Sequence, residues 1–489
     1  MLLLLAGAAL RLWQYFAKTS LWMDEIALAE NVIHTPLFSL FGKPLALDQV
    51  APPGFLAVLK GAVEVFGPNE LALRFFPLLG GLAALVLFAL LSRRVLPGWT
   101  AVLATALFAF APSMIAYSAE AKQYSTDVAA ALLLTLVAFR LCDVPQSRTR
   151  LLAAGLIGMA AVWLSQPAVL TVAGLGAGLA WIALGRGGWP ALRPLLPVIG
   201  VWAASAAAAT ALGFHSLTPA TREFMQRFWE PSLPRPTVVA LVLLGSAVLW
   251  KKRPHAAPLL VGPAAIALAA AAAHRYPFSG RAILFLTPVA ILAIADAVES
   301  LVAGLARLHV PRPVAAALFA LALAVATALQ LPVYRKEETR PVLSGIAARR
   351  RPGDALYVYY GAERALRFYG PRVGIDPSEV TFGGCHRGQP REYLLELDRF
   401  RGRPRVWIVF THAVSGEQPT MLGYLGSIGT RREGFEAVGA TAELYDLSEP
   451  ERLQTSTAET YPISEGNPEL AAPFGCGHGP LAEAPPGWR

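Results

Sequence analysis

The feature that most constrains this chain is a succession of apolar runs, each near the ~20 residues an α-helix needs to cross a hydrocarbon core. They fall at about 1–17, 70–92, 98–116, 124–142, 151–166, 168–185, 194–213, 236–250, 256–273, 281–300 and 313–333. Several lie near the lower length limit for a span. Composition agrees: 55% of the 489 residues are apolar or aromatic and 15% are charged, against about a quarter charged in an ordinary soluble domain. A soluble enzyme, a disordered chain and a fibrous protein are thereby excluded. The first run opens at Met1 without a basic flank or a small-residue cleavage site, and it reads as a retained span. The expected fold is an α-helical polytopic membrane protein of about 11 helices.

Charge gives the sidedness. Twelve basic residues sit in alternate loops: Arg93, Arg94, Arg140, Arg148, Arg150, Arg186, Arg193, Lys251, Lys252, Arg253, Arg307 and Arg312. Asp143 is the only clear acid among them. The positive-inside rule places these loops in the cytoplasm. An odd number of spans then puts the N-terminus inside and the polar tail outside. The net charge of +9 is concentrated in the membrane part, whereas residues 335–489 carry 19 basic and 20 acidic groups. That distribution suits membrane topology and anionic lipid head groups rather than nucleic acid.

Two domains are expected, a membrane domain 1–334 with a first external loop 18–69, and an extracytoplasmic α/β domain 335–489. In the tail, strand-like runs at Ala355–Tyr360, Arg405–Phe410 and Ala442–Leu447 alternate with helix-like stretches at 361–369, 391–400 and 417–427. From about 448 onward the composition reads as irregular chain. Three cysteines exclude a disulfide framework and a CxxC metal or redox motif. Cys385 and Cys476 lie together in the external part, where a disulfide and two free thiols are both open readings. Cys142 reads as packing.

Chemistry-bearing side chains gather on the external face. The first external loop is long and not of linker composition, which is usual for functional loops. It contains Ser20-Leu-Trp-Met-Asp24-Glu25, where Ser20 or Asp24 would cap a helix of moderate amphipathicity lying along the membrane surface. Asp24 and Glu25 have a plain structural reading, acids complementing a helix dipole. Their setting beside a bilayer argues for partners, because an unpartnered acid there is costly. Asp48 and Gln49 precede a second helix, Phe55–Phe66, with Pro52 and Pro53 at its start.

The next external loop, Tyr117–Tyr124, holds Glu120 and Lys122, and either interfacial anchoring or the mouth of a cavity accounts for them. A later one packs His274, Arg275 and Arg281 between two spans, which suits an anion. Arg74 joins them or snorkels. His215, Arg222, Glu223, Arg227 and Glu230 read as a solvated face. Carboxylates able to take a proton beside fixed cations suit transfer from a lipid-linked phosphate sugar. No nucleotide cradle such as GxxxxGK is present.

The motifs Trp22-Met-Asp24-Glu25, Ala51-Pro52-Pro53-Gly54-Phe55, Glu70-Leu-Ala-Leu-Arg74-Phe-Phe-Pro77, Tyr117-Ser-Ala-Glu120-Ala-Lys122-Gln-Tyr124 and Arg281–Pro288 resemble, in this order, those of the bacterial GT-C glycosyltransferases. These form the superfamily of protein O-mannosyltransferases and aminoarabinose lipid A transferases. The resemblance covers roughly 1–330. It implies an enzyme of a bacterial inner membrane that moves a hexose or pentose, with inversion, from a polyprenyl-phosphate donor to a lipid, glycan or protein hydroxyl. It also implies Asp24 as general base, with Glu25 orienting Asp24 or the acceptor.

By the same resemblance Lys122, Arg74 and Arg281, with Arg275 behind them, are donor-phosphate residues, and Tyr124 positions a phosphate oxygen or the sugar. Asp48, Gln49, Glu120 and His274 are candidates for the sugar or acceptor. One departure stands out. Aminoarabinose transferases carry Glu-Lys before the two prolines, whereas Val50-Ala51 stand here, so the usual phosphate lysine is missing. A divalent cation is used in parts of the class, and Asp24, Asp48 and Glu120 would be its ligands.

Two other classes compete. A flippase of lipid-linked glycans predicts charged or broken-helix positions near the midplane and an inverted repeat, whereas the runs read as clean in their centres. A receptor predicts a binding surface in the tail and a dispensable first loop. His386, His412 and His478 are scattered there and read as structural.

Overall fold

The computed structural model describes residues 1–41, 43–143, 147–215, 246–278, 280–306, 333–413, 416–453 and 456–463. The chain packs as two units. One comprises Met1–Lys18 and Asn31–Tyr334, the other Thr19–Glu30 and Arg335–Arg489. The segment Thr19–Glu30, from the long connection between α1 and α3, therefore packs with the tail, which the sequence reading did not anticipate.

The first unit is helical. Its elements include α1 (Leu2–Phe16), the last turn of α2 (Met23–His34), α3 (Pro53–Phe66), α4 (Glu70–Val95), α5 (Gly98–Ala109), α6 (Pro112–Ala116), α7 (Tyr124–Asp143), α8 (Arg148–Leu164), α9 (Ala168–Leu192), α10 (Leu196–His215), α11 (Ala257–Ala272) and α12 (Thr287–Ala306). Among the described residues four helical stretches are long and apolar enough to span: Glu70–Val95, Tyr124–Asp143, Ala168–Gly213 and Gly280–Ser300. A fifth is the pair Gly98–Ala109 and Pro112–Ala119, bent by 55°. Leu2–Phe16 and Ala257–Ala272 are shorter apolar helices. The expected span 313–333 and most of 236–250 lie outside the described residues, as do Arg222, Glu223, Arg227 and Glu230. The expected spans 168–185 and 194–213 form one run of 46 residues. Gly187 and Gly188 interrupt it with non-helical backbone.

Capping and packing account for the central helix α4. The Asn69 side chain accepts from Ala72 N at 3.0 Å, and Arg93 and Arg94 face the dipole at its far end. Helices in a bilayer associate through close packing rather than through hydrophobic transfer, which favours small residues at their contacts. A Cβ on Gly81 would lie 2.4 Å from the Ser118 Cβ, and one on Gly174 would lie 2.3 Å from Pro263 N. These glycines let α4 meet the Tyr117–Ala119 turn and α9 meet α11 at backbone distance.

The break between α5 and α6 has an identifiable cause. Pro112 lacks the N–H that would satisfy Phe108 O. The buried Arg11 of α1 replaces it, donating from Nη2 to Phe108 O at 3.4 Å and from Nη1 to Ala109 O at 3.0 Å and Gly7 O at 2.8 Å. Charged side chains do occur within the apolar helices, Asp127 in the first turn of α7 and Asp296 near the end of Gly280–Ser300. Arg11, Asp127 and Asp296 are buried within helices, Asp296 with Lys252 Nζ 3.6 Å away.

The second unit holds a five-stranded mixed sheet, ordered β2-β1-β3-β5-β4. Its strands are β1 (Ala355–Val358), β2 (Thr381–Phe382), β3 (Val406–Thr411), β4 (Thr430–Ala437) and β5 (Ala440–Asp446). β1 pairs in parallel with β2 and β3, with Tyr357 opposite Ile408, and β5 runs antiparallel to β3 and β4. Every residue of β3 is buried, as a central strand covered on both faces requires. Helices Glu363–Tyr369, Pro390–Asp398 and Glu417–Ile428 fill the connections. The sequence reading passed over β4, whose Arg431, Arg432 and Glu433 give no apolar alternation. They are the charged surface of an edge strand, with Arg431 Nε 2.9 Å from Glu443 Oε2 across the hairpin. Cys385 is disulfide-bonded and Cys142 is a free thiol. Cys476 and His478 lie outside the described residues.

Candidate active site

The first unit brings several of the expected residues together on the short turn between α6 and α7. Pro77 interrupts the N–H ladder of α4, and Ser125 Oγ donates to Pro77 O at 2.7 Å. With Gly81 against Ser118, this holds the turn tightly on α4. Lys122 N donates to Glu120 O at 2.7 Å, so both side chains leave one compact loop. Both are buried, Lys122 to 5% exposure and Glu120 to 4%.

Lys122 Nζ donates to Gln49 Oε1 at 2.5 Å. Gln49 is presented by a strained loop, in which Leu47 and Asp48 both hold left-handed backbone at φ +60° and +51°. Each such non-glycine residue costs about 1–3 kcal/mol. Asn31 keeps the loop in place from the last turn of α2, its amide exchanging bonds of 3.0 and 2.8 Å with Ala46 O and N.

On the other side Arg281 Nη1 lies 3.9 Å from Glu120 Oε1, and its guanidinium stands 5.5 Å from the Tyr124 ring centre. Tyr124 meets Tyr117 edge-on at 5.2 Å. Gln49, Glu120, Lys122, Tyr124 and Arg281 are therefore linked pairwise within one unit. Arg74 is buried in α4. His274, at φ +54°, and Arg275 are exposed on the turn after α11.

Asp24 and Glu25 belong to the second unit, on the first turn of α2. The expected caps, Ser20 and Asp24, are not the observed ones. Trp22 N donates to Glu25 Oε2 at 3.3 Å, half of a capping box, and Met23 N donates to Glu337 Oε2 at 3.1 Å. Ser20 Oγ is engaged instead with Glu338 Oε2 at 3.2 Å. Glu25, Ile26, Ala27, Leu28 and Ala29 are all buried, so α2 is enclosed rather than a half-solvated surface helix. Asp24 is partly exposed beside them.

The sequence reading missed a further group at the N-terminal end of α7. Asp127 Oδ1, Gln123 Oε1 and Ser165 Oγ are buried without a hydrogen-bond partner, with the Ser165 side chain beside the Asp127 carboxyl. Burial, then the Asp127 carboxylate, push the Tyr276 hydroxyl well above its ordinary range. Asp127 escaped notice because it opens an apolar run. Its place one turn after Lys122-Gln123-Tyr124 was the available signal. Among the described residues no group of three or more His, Cys, Asp or Glu side chains is placed to share a metal ion. Of the candidate cation ligands, Asp24 belongs to the second unit and Asp48 and Glu120 to the first.

Residues 50–214 match the sequence profile of the family described as dolichyl-phosphate-mannose-protein mannosyltransferase. Among solved structures, the chain resembles ArnT from Cupriavidus metallidurans bound to undecaprenyl phosphate, with 15% identity and a TM-score of 0.50 over 91% of this chain and 97% of that one. It also resembles the oligosaccharyltransferase AglB from Archaeoglobus fulgidus in complex with an inhibitory peptide and a dolichol-phosphate, with 12% identity and a TM-score of 0.50 over 91% and 74%. The apo form of the Archaeoglobus enzyme gives 0.51 over 92% and 74%. The fold is that of the GT-C glycosyltransferases. No curated protein matches the chain. With the GT-C fold, the four helical stretches long and apolar enough to span among the described residues indicate a multi-pass membrane protein.

Proposed function

We propose that the chain is a membrane glycosyltransferase that moves a sugar from a polyprenyl-phosphate donor to an acceptor hydroxyl at the extracytoplasmic face. The observation that carries this reading is the buried turn on which Lys122 and Arg281 stand beside Gln49, Glu120 and Tyr124. Two cations held by polar and aromatic side chains suit a phosphate monoanion or diester, because charge-assisted bonds are short and strong in a water-poor site. The match to a dolichyl-phosphate-mannose family and the lipid phosphates bound in the similar structures support the same donor class.

The proposed step is a single displacement. The acceptor oxygen attacks the anomeric carbon, its proton passes to the Asp24 carboxylate, and the bond from that carbon to the phosphate oxygen breaks. The electron pair leaves with the lipid phosphate, whose charge Lys122, Arg281 and the buried Arg74 stabilise. One displacement inverts the anomeric centre. Glu25, already bonded to Trp22 N, keeps the helix turn that carries Asp24 in place. Asp127, Gln123 and Ser165 offer hydrogen-bonding atoms without protein partners, which suits sugar hydroxyls. Asp48 and His274 have half-exposed and exposed side chains, suited to the acceptor side, and Arg275 is a further cation for the donor phosphate.

Substituting Lys122 by Ala tests the donor assignment. The expected result is a KM for the polyprenyl-phosphate sugar raised by about tenfold or more, equivalent to ~1.4 kcal/mol. An unchanged KM would remove Lys122 from the donor site.

A further inference from the structure

The last residues before α2 raise a question of accounting, since a helix start leaves N–H groups that need acceptors. In the second unit the four successive amides from Ser20 to Met23 each find one. Ser20 N donates to Glu338 Oε2 at 3.3 Å, Leu21 N to the Tyr369 hydroxyl at 2.7 Å, Trp22 N to Glu25, and Met23 N to Glu337 Oε2 at 3.1 Å. Except for Glu25, these acceptors come from the tail, more than 300 residues later in the chain, and Arg340 N returns a bond to Ser20 Oγ at 3.2 Å. Lys336 Nζ stands 3.7 Å from the Trp22 ring centre. The segment 336–338 is itself laid on the β4–β5 hairpin, where Glu338 N donates to Val438 O at 2.8 Å.

Glu337 is distinguished within this set. One carboxylate oxygen takes the Met23 N–H at the head of α2, and the other lies 2.7 Å from His412 Nδ1. The side chain is buried, so its charge and both bonds are held away from water. His412 follows β3 with left-handed backbone at φ +51°, a conformation that a non-glycine residue adopts at a cost of about 1–3 kcal/mol. This buried carboxylate therefore does two things at once: it takes the Met23 N–H that Glu25 leaves open, and it ties that first turn to a histidine in left-handed backbone.

We infer that Glu337, braced by His412, is the positioning residue for Asp24: it fixes the first turn of α2 so that the Asp24 carboxylate is presented in one orientation. The tail is then part of the catalytic apparatus through the Thr19–Glu30 segment that packs with it. This inference rests on Asp24 being the base. Reactions held in near-attack geometry lose about 10²-fold in rate for a displacement near 1 Å, so the effect belongs in kcat.

The test compares native protein, Glu337→Ala, Glu337→Gln and Asp24→Asn in proteoliposomes, reading kcat and KM for a polyprenyl-phosphate sugar and hydrogen exchange at residues 20–26. Glu337→Ala is expected to lower kcat at least tenfold with donor KM unchanged and to speed exchange of the Met23 amide. Glu337→Gln, which keeps an acceptor for Met23 N–H, is expected to recover most of both. Native kcat and native exchange in Glu337→Ala, with Asp24→Asn inactive, would overturn the positioning role. A Glu337→Gln variant as impaired as Glu337→Ala would overturn the bridging account. If Asp24→Asn transferred at the native rate while Glu337→Ala still freed the Met23 amide, the base assignment would fall rather than the brace.

Discussion

Among single residues, the tail illustrates how an ion pair sets a pH limit. Burial alone would raise the Asp354 carboxyl, but bonds from Arg405 at 2.7 and 3.1 Å, from Arg351 N at 3.0 Å and from Trp407 Nε1 at 3.2 Å hold it below the usual range. A carboxyl lowered on folding contributes stability that is present above its unfolded value of ~3.9 and is lost as pH falls through the folded one. Hydrogen-exchange protection of β1 and β3 in the full protein should therefore drop as pH is taken below about 4. Asp354→Asn should lower protection at neutral pH and flatten that dependence. Unchanged protection in the variant would deny Asp354 this part.

The same scale shows where the sequence was legible. Glu120, Lys122 and Arg281 were visible because charges at a membrane boundary stand out from apolar flanks. Arg11 was not, because a lone arginine inside an apolar run gives no hint that Pro112, about a hundred residues on, leaves carbonyls needing a donor. Glu337 and His412 read as unrelated, since their bond spans 75 positions and no local pattern announces it.

For whole elements, α4 and the turn it supports decide where the cations stand. A Cβ at Gly81 would meet the Ser118 Cβ at 2.4 Å, so Gly81→Val must push the Tyr117–Ala119 turn off the helix. Such overpacking costs about 1–3 kcal/mol. Donor KM should rise severalfold in a protein that still assembles in the membrane, while Gly61→Ala, with open space around the added carbon, should behave as native. Equal donor binding in native and Gly81→Val protein would show that the turn's seat on α4 does not set the site. The helix start near Pro52 and Pro53 was readable from proline rules, the run 70–92 from its apolar length, and the β1, β3 and β5 runs from their apolar residues. β2, of two residues, and β4, an edge strand with three charged residues in a row, carried too little apolar signal. The α2 turn was readable as a helix start, yet its caps come from Glu25 and the distant Glu337 rather than from Ser20 or Asp24.

For the molecule as a whole, the division of the chain matters most. Lys122, Gln49, Glu120 and Arg281 belong to the unit made of Met1–Lys18 and Asn31–Tyr334, and the Asp24 turn belongs to the unit containing the tail. Deleting 340–489 removes Tyr369, His412 and the β4–β5 hairpin. It is expected to abolish transfer while leaving binding of the polyprenyl-phosphate donor, and loss of both in a folded protein would contradict this separation.

The central claim is that Asp24 takes the acceptor proton during transfer from a lipid phosphate. The direct measurement is transfer of labelled sugar from polyprenyl-phosphate donors in proteoliposomes, comparing native protein with Asp24→Asn. The account predicts transfer by the native protein and a loss of about 10²–10⁴-fold in the variant, the range for removing a general base, with donor binding retained. Undiminished transfer by Asp24→Asn, or passage of the intact lipid across the bilayer with no transfer by the native protein, would contradict it.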